Sequence, residues 1–327
     1  MSRLNEVRFN RESTIFMTSG SDGFRVFYID PLMQMYHVTT QHIGAGNVLL
    51  AEISKNSNLI VIVCENSADS FMLWDAESQK VRRVVCFNGD VITNLKFLGD
   101  KLIVVRKTKV HIWSFVPELE SVYEYEARSE DGFSRSRKVG SVQIVDFGHS
   151  EHTQVSPNII PAHKHEVTCI ALNSDGSKVA TASEHGTIIR LFNTTTKEKL
   201  LELRRGQDPA RVFSISFSPD SSALCVTSDK GTVHIFAILK SSLNQRSALP
   251  NVGGIVSSHT DAQWSPVKFT VPAELACVCT FLKNKRSTVV ALCVDGSYHM
   301  YRFSLDPASC KAEAYEKFLE LGDSMEM

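Results

Sequence analysis

The chain is short of the features that mark a membrane-spanning protein or a familiar enzyme. Its longest aliphatic run, Leu59-Ile60-Val61-Ile62-Val63, falls far below the roughly 20 apolar residues that a spanning helix needs. The start, Met1-Ser2-Arg3-Leu4-Asn5-Glu6-Val7, lacks the apolar segment of a secretory leader. A soluble, intracellular protein is therefore expected. There is no Gly-x-Ser-x-Gly elbow, no Walker-type phosphate loop and no His-Glu-x-x-His, and no carboxylate pair stands at a site-forming position. No enzyme is expected. Eight cysteines, at 64, 86, 169, 225, 277, 279, 293 and 310, include no Cys-x-x-Cys pair, so they read as reduced core thiols. The nearest grouping of metal-type ligands, His163-Lys164-His165 with His149 and His152, matches no standard zinc spacing. No metal or other cofactor is expected, and His163 reads instead as a hydrogen-bonding residue that opens a repeat. A formal net charge of −1 removes the broad positive field that nucleic acid would require, so anion recognition has to be local.

What the chain does contain is a repeated phrase in which a small turn residue is followed by alternating apolar positions that end in an aromatic. It occurs as Gly23-Phe24-Arg25-Val26-Phe27, Ser70-Phe71-Met72-Leu73-Trp74-Asp75, Lys109-Val110-His111-Ile112-Trp113 and Gly140-Ser141-Val142-Gln143-Ile144-Val145. Three more copies begin at Gly186, Gly231 and Gly296. Further strand patterns ending in polar turns lie upstream, as in Val7-Arg8-Phe9-Asn10 and Ile215-Ser216-Phe217-Ser218-Pro219-Asp220. Several period-2 strands per repeat, at a period near 40 residues, indicate an all-β fold, a seven-bladed β-propeller of WD40 type. One such propeller accounts for residues 1–327, and seven repeats make a closed ring.

Two intervals break the period. Residues 126–138 are polar and hold no apolar strand, so the fourth blade is expected to be shortened. Residues 239–263 form an overlong connection in blade 6, with Leu243, Leu249, Val252, Ile255 and Val256 scattered among polar residues. That connection reads either as a surface loop or as a membrane-facing one, whose buried CH₂ groups would contribute about 0.8 kcal/mol each.

Between the fifth and sixth copies lies Leu203-Arg204-Arg205-Gly206. Neighbouring side chains on an extended backbone point to opposite faces, so the two guanidiniums suit two adjacent anion sites better than one. On either side stands a Ser-x-x-Gly-Thr phrase: Ser183 to Thr187, with Arg190 beyond it, and Ser228 to Thr232, with His234 beyond it. Hydroxyls, a cationic or donor side chain and an arginine fork are the groups that hold phosphate oxygens. The competing reading is that these are ordinary repeat-turn residues with one arginine on the surface.

These phrases, together with Asn244-Gln245-Arg246-Ser247-Ala248-Leu249, Gln263-Trp264-Ser265, Phe269-Thr270-Val271-Pro272-Ala273-Glu274 and Val294-Asp295-Gly296, resemble the PROPPINs. That family comprises the phosphoinositide-binding propellers of autophagy, called WIPI proteins in animals. The later phrases look most like the branch that partners the bridge-like autophagy lipid-transfer protein. Leu203 replaces a frequent Phe, and His185 stands where a Lys is frequent. The resemblance implies a first pocket of Arg204, Ser183, Thr187 and Arg190, and a second of Arg205, Ser228, Thr232 and His234. The implied ligands are phosphatidylinositol 3-phosphate and phosphatidylinositol 3,5-bisphosphate. The implied role is a monomeric autophagy scaffold, cytoplasmic and peripheral on phagophore and endosomal membranes. The alternative is a propeller that docks proteins without lipid, with Asn10-Arg11-Glu12 as a candidate contact or merely a hairpin turn.

Overall fold

In a computed structural model of the chain, the described residues are 4–54, 58–107, 109–114, 119–126, 139–144, 158–246, 262–285 and 287–321. Each repeated phrase becomes a strand: Gly23–Tyr28, Ser70–Asp75, Lys109–Ser114, Ser141–Ile144, Ile188–Asn193, Thr232–Ala237 and Ser297–Leu305. In six of the seven sheets it is the third strand in chain order, paired antiparallel with the strand before it. The seven sheets are the blades read from the sequence repeat, and the fold is an all-β propeller.

The second strands explain why apolar runs appear where strict alternation might be expected. Ile60, Val61, Ile62, Val63 and Cys64 are all 0% exposed, because both faces of this strand are covered by neighbouring sheets and neither needs polar side chains. The outer strand Lys80–Cys86 of the same sheet is almost wholly exposed and carries Lys80, Arg82 and Arg83. Burial thus falls from the inner strands to the outer one, and composition follows.

The chain packs as two compact units. One comprises residues 1–134 with 294–297 and 317–327, and the other 135–293 with 298–316. Within the first, Met17, Phe24, Val26, Ile60, Ile62 and Trp74 form a core between the first and second sheets, while Val61, Val63, Phe71, Leu95, Leu102 and Trp113 form another between the second and third. Phe16 stacks on Phe27 at 4.6 Å between ring centroids, and Phe318 meets both rings edge-on. The hairpin at Asn10 is closed by that side chain, whose Oδ1 accepts from the N–H groups of Thr14 and Ile15 at 3.0 and 3.1 Å. Asn10-Arg11-Glu12 is therefore a hairpin turn in structural terms.

Within the second unit, Val142, Ile160, Ala162, Val179 and Phe192 join the fourth sheet to the fifth. Ala180, Ile189, Leu203, Val212, Leu224 and Phe236 join the fifth to the sixth, and Val233, Ile235, Phe269, Cys277 and Val289 join the sixth to the seventh. The fourth sheet has two strands among the described residues, Ser141–Ile144 and Asn158–Pro161. Of the polar interval, residues 127–138 lie outside the described residues, as do 145–157 with His149 and His152. All eight cysteines are free thiols, five of them buried. Cys86 is exposed, unlike the core thiol expected, because it ends the solvent-facing outer strand of its sheet. Among the described residues no helix is long and apolar enough to cross a membrane.

Candidate functional site

The two Ser-x-x-Gly-Thr phrases are tight turns between the second and third strands of the fifth and sixth sheets. The Gly186 N–H donates to Ser183 O at 2.8 Å, and the Gly231 N–H to Ser228 O at 3.2 Å. Both glycines have left-handed backbones, with φ of 59° and 65°. A Cβ on Gly186 would lie 1.8 Å from Ala210 O, so no other residue fits without moving backbone. The turn sets Thr187 and Thr232 at the starts of the two third strands. Antiparallel register then places Arg204 opposite Ile188, at the same end of the fifth sheet as Thr187.

A first cavity of about 310 Å³ opens there, and Ser183, Thr187 and Arg190 line it. Arg190 is held rather than free: its Nε donates to Glu202 Oε2 at 2.9 Å and its Nη1 to Ala162 O at 2.8 Å. Lys199 reaches the same Glu202 oxygen at 3.0 Å, so the two cations share one carboxylate and leave the cavity net positive. Burial and the cations Arg190 and Lys199 act in opposite directions on Glu202, and the cations win, holding its carboxyl below the usual range. His163 forms part of the wall. Its Nε2 lies 2.9 Å from Thr181 Oγ1 and 3.2 Å from Thr181 O, which makes it the hydrogen-bonding residue expected at the head of this repeat. Desolvation, then the nearby Arg190, pushes its pKa down to about 4, so it is neutral near pH 7.

A second cavity of about 520 Å³ is lined by Thr232, His234, Lys268, Phe269, Thr270 and Tyr301. His234 Nδ1 and Ser265 Oγ hydrogen-bond at 2.8 Å. Desolvation first, then Arg205 and Lys268, lowers the His234 pKa to about 4, so this residue offers a hydrogen bond and no charge. Lys268, exposed and opposite His234 in the register, supplies the cation. Phe269 and Tyr301 stack at 4.0 Å between centroids as an aromatic wall.

The remaining three sequence-chosen residues line neither cavity. Ser228 is 1% exposed and sits inside its turn, where its hydroxyl accepts from the Lys230 N–H at 3.4 Å. Arg205 is 5% exposed, donating from Nε to Gly186 O at 3.1 Å and from Nη2 to Asp208 O. Burial lowers its pKa against the opposing pull of Asp229 and Asp208. It stands close enough to His234 to depress that histidine, and its Nη1 has no hydrogen-bond partner among the described residues. Arg204 is half-buried, with its guanidinium 5.6 Å from the centre of the Trp264 ring. The two guanidiniums thus have different partners, backbone carbonyls for Arg205 and an indole ring for Arg204.

Trp264 comes from the base of the long connection. Gln245-Arg246 pairs with Gln263-Trp264, and the latter pairs in parallel with Leu203-Arg204, widening the fifth sheet to six strands. Asn244, 4% exposed, pins this base: it bonds both the N–H and the C=O of Ala237 at 2.8 Å and donates to Gln263 Oε1 at 2.7 Å. The rest of the connection, 247–261, lies outside the described residues. Lys268, Tyr301, Ser265, Glu202 and the Asn244 clamp were not singled out from sequence as site residues. Only the Asn244 and Ser265 phrases carried any signal, through the family resemblance.

Comparison with known proteins gives the family and the fold. A family model described as PROPPIN matches residues 63–256. The chain is 29% identical to Ectopic P granules protein 6 of Caenorhabditis elegans over 94% of its own length and 84% of that protein's. It is 30% identical to SVP1-like protein 2 of Pichia angusta over 74% of this chain and 72% of the relative, and 27% identical to Autophagy-related protein 18 of Dictyostelium discoideum over 91% and 88%. Among solved structures, Kluyveromyces lactis Hsv2 with complete loop 6CD superposes with a TM-score of 0.78 at 19% identity, covering 97% of this chain and 100% of that one. The complex of KlAtg21 with the coiled coil of AgAtg16 superposes with a TM-score of 0.73 at 19% identity, covering 97% and 99%. At such identities these two similarities establish the fold.

Proposed function

This chain belongs to the PROPPIN family, and from that premise we propose that it recruits partners to membranes bearing phosphatidylinositol 3-phosphate or phosphatidylinositol 3,5-bisphosphate during autophagosome formation. The family is an autophagy-related, phosphoinositide-binding propeller family of non-enzymatic binders and scaffolds. The observation that carries the finer reading is the pair of cavities at the starts of two consecutive third strands. Each joins a threonine hydroxyl to a lysine or arginine and a neutral histidine. Hydroxyl and imidazole donors set the orientation of a phosphate, and the cations supply attraction that weakens with salt.

Arg204 and Arg205 act from the strand between the two cavities. Arg205 shapes the first turn through Gly186 O and places its positive charge near His234. Arg204 fixes the base of the long connection through Trp264. Two headgroup sites and the apolar connection 239–263 engaging one bilayer make the later contacts intramolecular, and avidity then exceeds single-site affinity by about 10²–10⁴. The Atg21–Atg16 complex supports a protein partner for the bound propeller. For this chain, the resemblance of its later phrases favours the bridge-like lipid-transfer protein, engaged by a propeller monomer on the phagophore.

Vesicle flotation tests the reading. The wild type is expected to float with vesicles containing phosphatidylinositol 3-phosphate and to stay behind with vesicles lacking it. Lys268→Ala should float less, and Arg204→Thr with Arg205→Thr should not float while remaining folded by circular dichroism. Equal flotation of a folded double variant would refute it.

A further inference from the structure

At the rim of the first cavity, the connection from the fourth sheet to the fifth and a turn within the fifth sheet bring together a donor set that the phosphate reading does not use. His165 lies in the turn that leads into the strand Val167–Leu172. Glu184 and His185 lie in the turn after Lys178–Ser183. The imidazoles of His165 and His185 meet edge to face, 4.1 Å between centroids at 79°. His165 Nδ1 is 3.5 Å from Glu184 Oε1, and one ligand atom from each of the three residues falls within 4.8 Å of the others.

From this geometry we propose that His165, Glu184 and His185 form a three-ligand site for a divalent transition metal of the Zn²⁺ type. Bonds of about 2.0–2.1 Å in a tetrahedral Zn²⁺ site put ligand atoms about 3.3 Å apart. The His165–Glu184 spacing of 3.5 Å is close to that, and the ligand atom of the exposed His185 lies within 4.8 Å of the other two. Two imidazoles and one carboxylate are the ligands of a three-point zinc site whose fourth position stays open, and they discriminate against Mg²⁺, which takes oxygen donors.

The backbone holds the two turns in this relation before any ion arrives. The Glu184 N–H donates to Glu166 O at 2.9 Å, and His185 O accepts from the Ala210 N–H at 3.0 Å. The left-handed Gly186 locks the end of the turn. Only side-chain freedom is lost on binding, which limits the entropic cost. His165 and His185 also line the first cavity, so an ion held by them would lie beside the space where an anion would sit. A dication there would add positive charge beside Arg190 and Lys199. The metal site itself does not depend on the lipid reading, and its test uses no lipid.

The full-length chain, stripped with a chelator, is titrated with Zn²⁺ against a chromophoric competitor and separately with Co²⁺. The expected result is one Zn²⁺ per chain, unaffected by millimolar Mg²⁺, with a visible Co²⁺ spectrum of four- or five-coordinate type. His165→Ala and His185→Ala should each weaken binding by at least about tenfold, and Glu184→Gln should weaken it measurably. The three side chains are exposed, so far-UV circular dichroism is expected to stay unchanged in every variant. Absence of stoichiometric Zn²⁺ binding by the wild type overturns the proposal. So does undiminished binding by both histidine variants, which would place the ion on the thiols or on other histidines.

Discussion

The two arginines of the central pair are adjacent and chemically identical, yet their surroundings predict opposite results when each is removed. Arg205→Ala takes away a guanidinium that is 5% exposed and donates to the carbonyls of Gly186 and Asp208. Hydrogen bonds from a charged donor contribute about 1.5–3 kcal/mol each, and buried acceptors left unpaired cost about 1–3 kcal/mol. Against this stands relief from burying the charge, whose desolvation is large enough to lower the pKa. The net expectation is a loss of about 2–3 kcal/mol. Arg204→Ala removes a half-buried side chain whose described contact is the ring of Trp264, a cation–π interaction of about 0.5–1 kcal/mol at an exposed site. Urea denaturation followed by far-UV circular dichroism reads both, and Arg205→Ala should show the clearly lower midpoint. Equal midpoints for the two single variants would refute the assignment of Arg205 to a structural as well as a binding role.

Two further outcomes follow from the turns and the histidines. Gly186→Ala puts a Cβ 1.8 Å from Ala210 O at a φ of 59°, so the thermal midpoint should fall and the first cavity should deform, whereas Gly176→Ala, also at positive φ but with nothing within 4 Å of the added atom, should cost only about 1 kcal/mol. His234, 9% exposed, has its pKa depressed from 6.5 to about 4. The unfolded chain therefore binds a proton between those values that the folded chain refuses, and stability is full above about pH 6.5 and falls as pH drops toward 4, by up to about 3 kcal/mol. Chemical denaturation at pH 7.5 and pH 5 checks the sign, and His234→Gln should make the profile shallower without abolishing it, because His163 is depressed to about 4 as well.

Much of the architecture was legible in the residues because its causes are local. Period-2 alternation and a turn residue at the head of each phrase marked a strand in every sheet, the third in six of the seven, and the two Ser-x-x-Gly-Thr phrases became the matched turns that set Thr187 and Thr232. That Arg204 and Arg205 would not share one partner was expected from the extended backbone, and they have different ones. The choice of which arginine is buried was not, because it depends on Gly186 O and Asp208 O meeting Arg205 and on Trp264 meeting Arg204, and Trp264 lies 60 residues beyond Arg204 in sequence. The same limit applies to Glu202 restraining Arg190, to Lys268 and Tyr301 completing the second cavity, and to Asn244 closing the base of the long connection. It applies again to His165 meeting Glu184 and His185, whose spacing resembles no metal motif because the ligands sit on two turns. Repeat, strand and turn were thus properties of short segments, carried by backbone stereochemistry and the alternation of buried and exposed positions. The charge state, burial and partners of each site residue arose from packing between strands that chain order does not place side by side.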